Sequence, residues 1–142
     1  MPHRPPDPGR ESRAMTTGRH TTKEIGDGGE TLATEALTAA GYAIVERNVR
    51  VGNVEVDIVA QNHDRLVFVE VKTRKADSMD WRYGIDRAKI RRLARAGATY
   101  VRSRELPYEV QIDAILVTSR PDGAGCDVEH LRDIALPPMC RR

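Results

Sequence analysis

VEVDIVAQNHDRLVFVEVKT, residues 54–73, reads as a β-hairpin whose register decides what the chain is built around. Residues 54–61 and 66–73 are rich in Val and Ile, alternate in character, and flank the polar turn Asn62-His63-Asp64-Arg65. Pairing Gln61 with Leu66 sets Ala60 by Val67, Ile58 by Val69 and Val56 by Val71, which makes one wholly apolar face. The other face then carries Val59 by Phe68, Asp57 by Glu70 and Glu55 by Lys72. A one-residue slip would turn carboxylates into the core, so the pattern itself selects this register. Opposed side chains have Cβ atoms about 4.5–5.5 Å apart, where like charges are destabilising. Two carboxylates sharing a half-buried site keep a proton or hold a cation. A divalent metal at Asp57 and Glu70, with Lys72 beside it, is the simplest resolution and implies phosphodiester chemistry.

Charge outside the hairpin is unevenly spread. The net charge is only +2, yet residues 72–104 hold eleven Lys or Arg against Asp77, Asp80 and Asp86, so the rest of the chain is net acidic. Positive charge concentrated beside a carboxylate pair suits a polyanionic substrate, although a solvated helix face would look the same. With six aromatic residues in 142, the core must be mostly Val, Ile, Leu and Ala. No apolar run approaches the roughly 18 residues of a membrane span, so no membrane partner is expected. The first fifteen residues lack the apolar segment of a secretory signal. Two cysteines, Cys126 and Cys140, suggest no disulfide framework and fit a reducing cytoplasm.

Residues 1–22, rich in Pro, Gly, Arg and Thr, read as a disordered N-terminal tail, with Met15 a second candidate start. A domain over 23–136 and a loose tail over 137–142 complete the division. Ile25, Leu32, Ala33, Ala36, Leu37 and Ala40 recur at helical spacing until Gly41 stops the helix, with Glu30 at the edge of the stripe. Gly26, Gly28 and Gly29 in its first turns suggest close backbone approach. Residues 42–51 read as a first strand, ahead of the hairpin. After a loop containing Asp77 to Tyr83, Asp86 is the N-cap of a helix reaching about residue 102. Its apolar stripe is Ile90, Leu93, Gly97, Tyr100 and Val101, and its basic stripe is Arg87, Arg91 and Arg95. Strands at 110–118 and near 127–132 follow. One helix, three strands, a helix and two strands make an α/β layer sandwich with a central mixed sheet of about five strands.

Asp57…Glu70-Val71-Lys72 on adjacent strands resembles the PD-(D/E)xK nuclease superfamily, whose fold is restriction-endonuclease-like. More narrowly, residues 24–118 resemble the UPF0102 (YraN-like) family of small bacterial proteins. The resemblance rests on Gly26-x-x-Gly29-Glu30, Arg47-Asn48, Glu55-Val56-Asp57-Ile58-Val59-Ala60 and Val67-Phe68-Val69-Glu70-Val71-Lys72-Thr73-Arg74. Lys89-x-Arg91-Arg92-Leu93 and Asp113 also fit. That family is similar in turn to archaeal Holliday-junction resolvases, which implies a branched DNA substrate by fold analogy alone. Two departures stand out. Val56 precedes Asp57 where the superfamily motif has Pro, and Val54 stands where the family tends to have Gly.

The expected chemistry assigns each residue a part. Mg²⁺, or Mn²⁺, would be held by Asp57, Glu70 and the backbone carbonyl of Val71, because Mg²⁺ takes oxygen ligands and keeps several waters. Lys72 would orient water or stabilise developing charge, and Glu30 would complete the acidic cluster. Arg74, Arg87, Lys89, Arg91, Arg92 and Arg95 are the candidate nucleic-acid contacts. Glu55 is expected to partner Lys72 or to serve as an outer acid behind the metal ligands, and Asp113, between Ile112 and Ala114, to be a structural hydrogen-bond acceptor. The plainer alternative is a salt-bridged surface on which arginines satisfy Asp57 and Glu70. Three functions follow: a metal-dependent endonuclease acting on DNA, a non-catalytic nucleic-acid-binding module on the same scaffold, or an interaction protein whose basic helix meets an acidic partner. Oligomeric state is not written in the sequence, a homodimer being one option. Cys126, His130 and Cys140 lack zinc-ligand spacing, and Gly26-Asp27-Gly28-Gly29 lacks the Lys-Ser/Thr of a phosphate loop.

Overall fold

The computed structural model describes residues 12–15, 22–75 and 86–135. The expected loop at 77–83 and the tail at 137–142 lie outside them. Most of 1–22 does too, but Ser12–Met15, inside the stretch read as a disordered tail, form a paired strand, β1.

The end of one helix and the start of the other follow directly from their sequences. Helix α1 (Thr22–Ala39) ends where Gly41 takes φ 93°. The Gly41 N–H then donates to the Thr38 carbonyl at 3.0 Å and the Tyr42 N–H to the Leu37 carbonyl at 2.9 Å. This paired closure satisfies carbonyls that the helix end would otherwise orphan. Helix α2 (Arg87–Ser103) starts at Asp86, whose carboxylate accepts from the Ala88 N–H at 2.9 Å.

Between and after the helices run β2 (Ala43–Val51), β3 (Val54–Asn62), β4 (Arg65–Lys75), β5 (Glu109–Ser119) and β6 (Cys126–Leu131). They form one mixed sheet in the order β1-β6-β5-β4-β3-β2. Only β4 and β5 are parallel, joined by the crossover through α2; every other pair is antiparallel. The expected α/β layer sandwich is what forms, with β1 as a sixth strand on the edge of the anticipated five.

Alternation along β4 places one helix on each face. Val67 and Val69 pack with Ala33 and Leu37 of α1, together with Ile58, Ala60, Ile115 and Val117. Leu66 and Phe68 pack with Leu93 and Tyr100 of α2, together with Val59 and Ile112. α2 lies especially close to the sheet at Gly97, where a Cβ would stand 2.8 Å from Val110 Cγ1 and 2.9 Å from Phe68 Cδ1.

The hairpin has the expected register, from Gln61 opposite Leu66 to Ile58 opposite Val69. Its turn is shorter than anticipated, because Asn62 and Arg65 pair and His63 takes φ 60°. The uniform apolar face is not observed. Val56 packs with Val59 and Phe68 on the α2 side, opposite Ile58 and Ala60. The alternation of β3 therefore reverses at Asp57, and Val56 does not stand beside Val71. The cause lies across the strand: Arg47 pairs with Ile58 and Val49 with Val56, while Asn48 between them adopts φ 54°. Asn tolerates this left-handed conformation better than other non-glycine residues, and it breaks the pleat. Val54 and Val56 both face α2, so Glu55 points the other way, exposed and paired with Arg50. Lys72 is on the α2 side, and the expected Glu55–Lys72 partnership is thereby overturned.

Candidate functional site

The β3–β4 ladder stops at Ile58 and Val69, one step short of Asp57 and Glu70. Beyond that point β4 continues alongside β5 as far as Lys75, while β3 stays with β2. The strands splay, and Asp57 occupies the opening. Its Oδ2 accepts from the Val71 backbone N–H at 2.8 Å, replacing the lost ladder bond with a side chain. In a strand the N–H and C=O of one residue point to the same edge, so the Val71 carbonyl faces this opening as well.

Three acidic side chains act on one another here. Burial pushes the Asp57 carboxyl up to about 6, resisted by the Val71 N–H bond and Lys89, and reinforced by Glu70 and Glu30. Glu70 rises from β4 on the α2 side and is largely enclosed, its side chain 18% exposed. Lys89 of α2 reaches its Oε2 with Nζ at 2.6 Å. Glu30 comes from α1 and pairs with Arg47 of β2 at 3.6 Å. Gly29 permits that approach, because a Cβ there would lie 2.4 Å from Thr73 Cγ2. No such crowding surrounds Gly28.

Lys72 lines a pocket between α2 and the sheet with Glu70 and Lys89, floored by Leu93, Ile112 and Leu116. The sequence expectation placed Lys89 among phosphate contacts only. Its pairing with Glu70, nineteen residues away, depends on how α2 lies over β4, for which the sequence carries no local signal. Arg87, Arg91, Arg92 and Arg95 are exposed on the face of α2 opposite Leu93, Ala96, Gly97 and Tyr100. Arg74 is half-buried in β4.

A second polar cluster centres on a fully buried carboxylate. Asp113 on β5 accepts from Tyr42 Oη at 3.0 Å, Gln111 Nε2 at 2.9 Å and the Asp133 N–H at 2.9 Å, and meets His130 Nε2 at 2.7 Å. Burial alone would raise Asp113, but the bonds from His130, Asp133 and Gln111 hold it below the usual carboxylate range. This is the structural acceptor that its setting between Ile112 and Ala114 suggested.

Among the described residues no three His, Cys, Asp or Glu side chains converge as a metal-ligating group. A metal centre here would therefore rest on two carboxylates and a carbonyl. Likewise, no helix among them is long and apolar enough to cross a membrane.

Fold and site together define a small α/β layer-sandwich protein with an acidic pair where a hairpin splays and a basic helix across it. Residues 29–117 match the family described as Uncharacterised protein family UPF0102, and the chain belongs to that family. A UPF0102 protein of Symbiobacterium thermophilum is 43% identical over 108 residues, spanning 72% of this chain and 88% of its own. One from Pseudarthrobacter chlorophenolicus is 41% identical over 116 residues, 78% of this chain and 85% of its own. Among solved structures, SfsA of Pyrococcus furiosus in complex with Ca²⁺ aligns with a TM-score of 0.37 at 15% identity, over 86% of this chain and 69% of that one.

Proposed function

We propose that this protein is a metal-dependent endonuclease of the bacterial cytoplasm that binds DNA and hydrolyses its phosphodiester bonds. One observation carries the reading: Asp57 is held half-buried at a strand opening beside Glu70 and Glu30, where its charge is disfavoured, pushed up to about 6. Carboxylates crowded in this way are suited to a cation. The donors are oxygens, as Mg²⁺ or Mn²⁺ requires, with Asp57, Glu70 and the Val71 carbonyl the ones that would hold it. Such an ion would supply a water of lowered pKa and charge neutralisation at the phosphate.

The protein's own groups do the remainder. Asp57 is fixed by the Val71 N–H, so its second oxygen points away from the backbone it caps. Lys72 projects from the same strand face as Glu70 and supplies positive charge beside the reacting phosphate. Glu30, steadied by Arg47, accepts a proton or orders water at the rim. The exposed arginines of α2 hold the backbone of the substrate.

A second reading has its own support. Lys89 already neutralises Glu70 at 2.6 Å, and a site satisfied from within needs no metal, as in a non-catalytic DNA-binding module. Incubation with Mg²⁺ or Mn²⁺ and a panel of duplex, flap, single-stranded and four-way-junction DNAs separates the two. Cleavage that disappears in Asp57→Asn and Glu70→Gln supports the enzyme. Binding without cleavage in every metal supports the module.

A further inference from the structure

The Lys89–Glu70 pair is unusual in where its cation comes from. Lys89 sits in the first turn of α2, just after the Asp86 cap, in a turn with no acidic residue. A helix N-terminus carries roughly half a positive charge, so a lysine there is disfavoured unless an anion compensates. Asp86 supplies one anion as the cap, and Glu70 holds the Lys89 ammonium itself, its own side chain 18% exposed while that of Lys89 is 48% exposed. Lys89 also acts on Asp57, lowering what Glu70 and Glu30 raise. One flexible lysine thus pairs with Glu70 from an adjacent helix, weakly offsets the charge at Asp57, and has an open route to solvent.

Building on the metal reading above, we propose that Lys89 is an exchangeable counter-cation: it holds Glu70 when no metal is bound, yields that oxygen to a divalent ion, and then turns its ammonium to a phosphate of the substrate. A divalent ion at Glu70 repels the Lys89 ammonium and contests the same carboxylate charge, so the two compete. The displaced ammonium stays at the helix N-terminus, where phosphate is the favoured partner. Lys89 is a positioning residue for Glu70 and a link between metal entry and polyanion binding, and by linkage that coupling must be reciprocal.

The test is a calorimetric titration with Mg²⁺ and with Mn²⁺ alone, on the full chain. Lys89→Met should bind metal at least about threefold more tightly than the parent, because a competing, partly exposed ion pair is gone. Lys89→Arg, which keeps the charge, should stay near the parent. In parallel, the Lys89 resonance of ¹³C-dimethylated protein should move on adding metal and stay fixed in Asp57→Asn. Equal or weaker affinity in Lys89→Met, or an unmoved resonance in metal-bound parent, overturns the exchange. If the parent binds no metal, or Asp57→Asn binds as well as the parent, the metal reading itself fails, whatever Lys89 does.

Discussion

Asp57 holds its negative charge against its surroundings, and that has a definite pH signature. Its carboxyl titrates near 6 when folded, against an ordinary value of 3.8. Between those values the folded protein keeps a proton that the unfolded chain has lost. This group's contribution to stability is therefore greatest below about pH 4 and is lost as pH rises through 6. Asp57→Asn should stabilise the metal-free protein at pH 7.5, by about 1–3 kcal/mol, and by little at pH 4. Urea unfolding at the two pH values checks this; equal effects would show that burial does not disfavour the charge. Asp57→Ala should gain less, because the Val71 N–H then loses its 2.8 Å acceptor. Metal affinity should fall as pH drops below about 6, since protons and metal contest the same oxygens.

Elements meet at glycines, and these give sharper tests than the apolar core. Gly97→Ala must push α2 off Phe68 and Val110 and should destabilise by about 1–3 kcal/mol in urea titration. Gly29→Ala meets only the Thr73 methyl group, so Thr73→Ser in the same chain should relieve it. Failure of that rescue would mean that α1 is positioned by something else. On α2, replacing Arg87, Arg91 and Arg95 together by Ala should weaken DNA binding across sequences. The log–log salt slope should flatten by up to about 3, at about 0.9 per phosphate contact. An unchanged slope would make this helix face mere solvated surface. Element boundaries were largely legible, because capping residues and alternation are local: Asp86 caps α2, Gly41 closes α1, and the hairpin pairs as its pattern demands. The reversal at Asp57 was not, because it depends on a positive φ at Asn48 and on a side chain bonding across strands.

Across the whole molecule, Asp113 ties together β5, β6 and the entry to β2 through Tyr42, Gln111, His130 and the Asp133 backbone. Removing it strands three buried side chains and the part-buried Asp133 N–H, so Asp113→Ala should cost about 3 kcal/mol or more, read by chemical denaturation. Its depressed carboxyl stabilises the fold above the ordinary aspartate range and loses that effect as pH falls further, opposite in sign to Asp57. The sequence placed Asp113 as a structural acceptor but not its partners, since 71 residues separate it from Tyr42. Of the candidate site, Asp57, Glu70, Lys72 and Glu30 were singled out by the strand pattern and the family resemblance, but the direct opposition of Asp57 and Glu70 did not form, and the Lys89 pairing came only with the tertiary fold. Everything proposed for function turns on whether Asp57 and Glu70 share a cation. The most direct measurement is a calorimetric Mn²⁺ titration of the parent, Asp57→Asn and Glu70→Gln, with folding verified by circular dichroism. Saturable binding by the parent and none by either folded variant is expected; undiminished Mn²⁺ binding in both would contradict a shared cation.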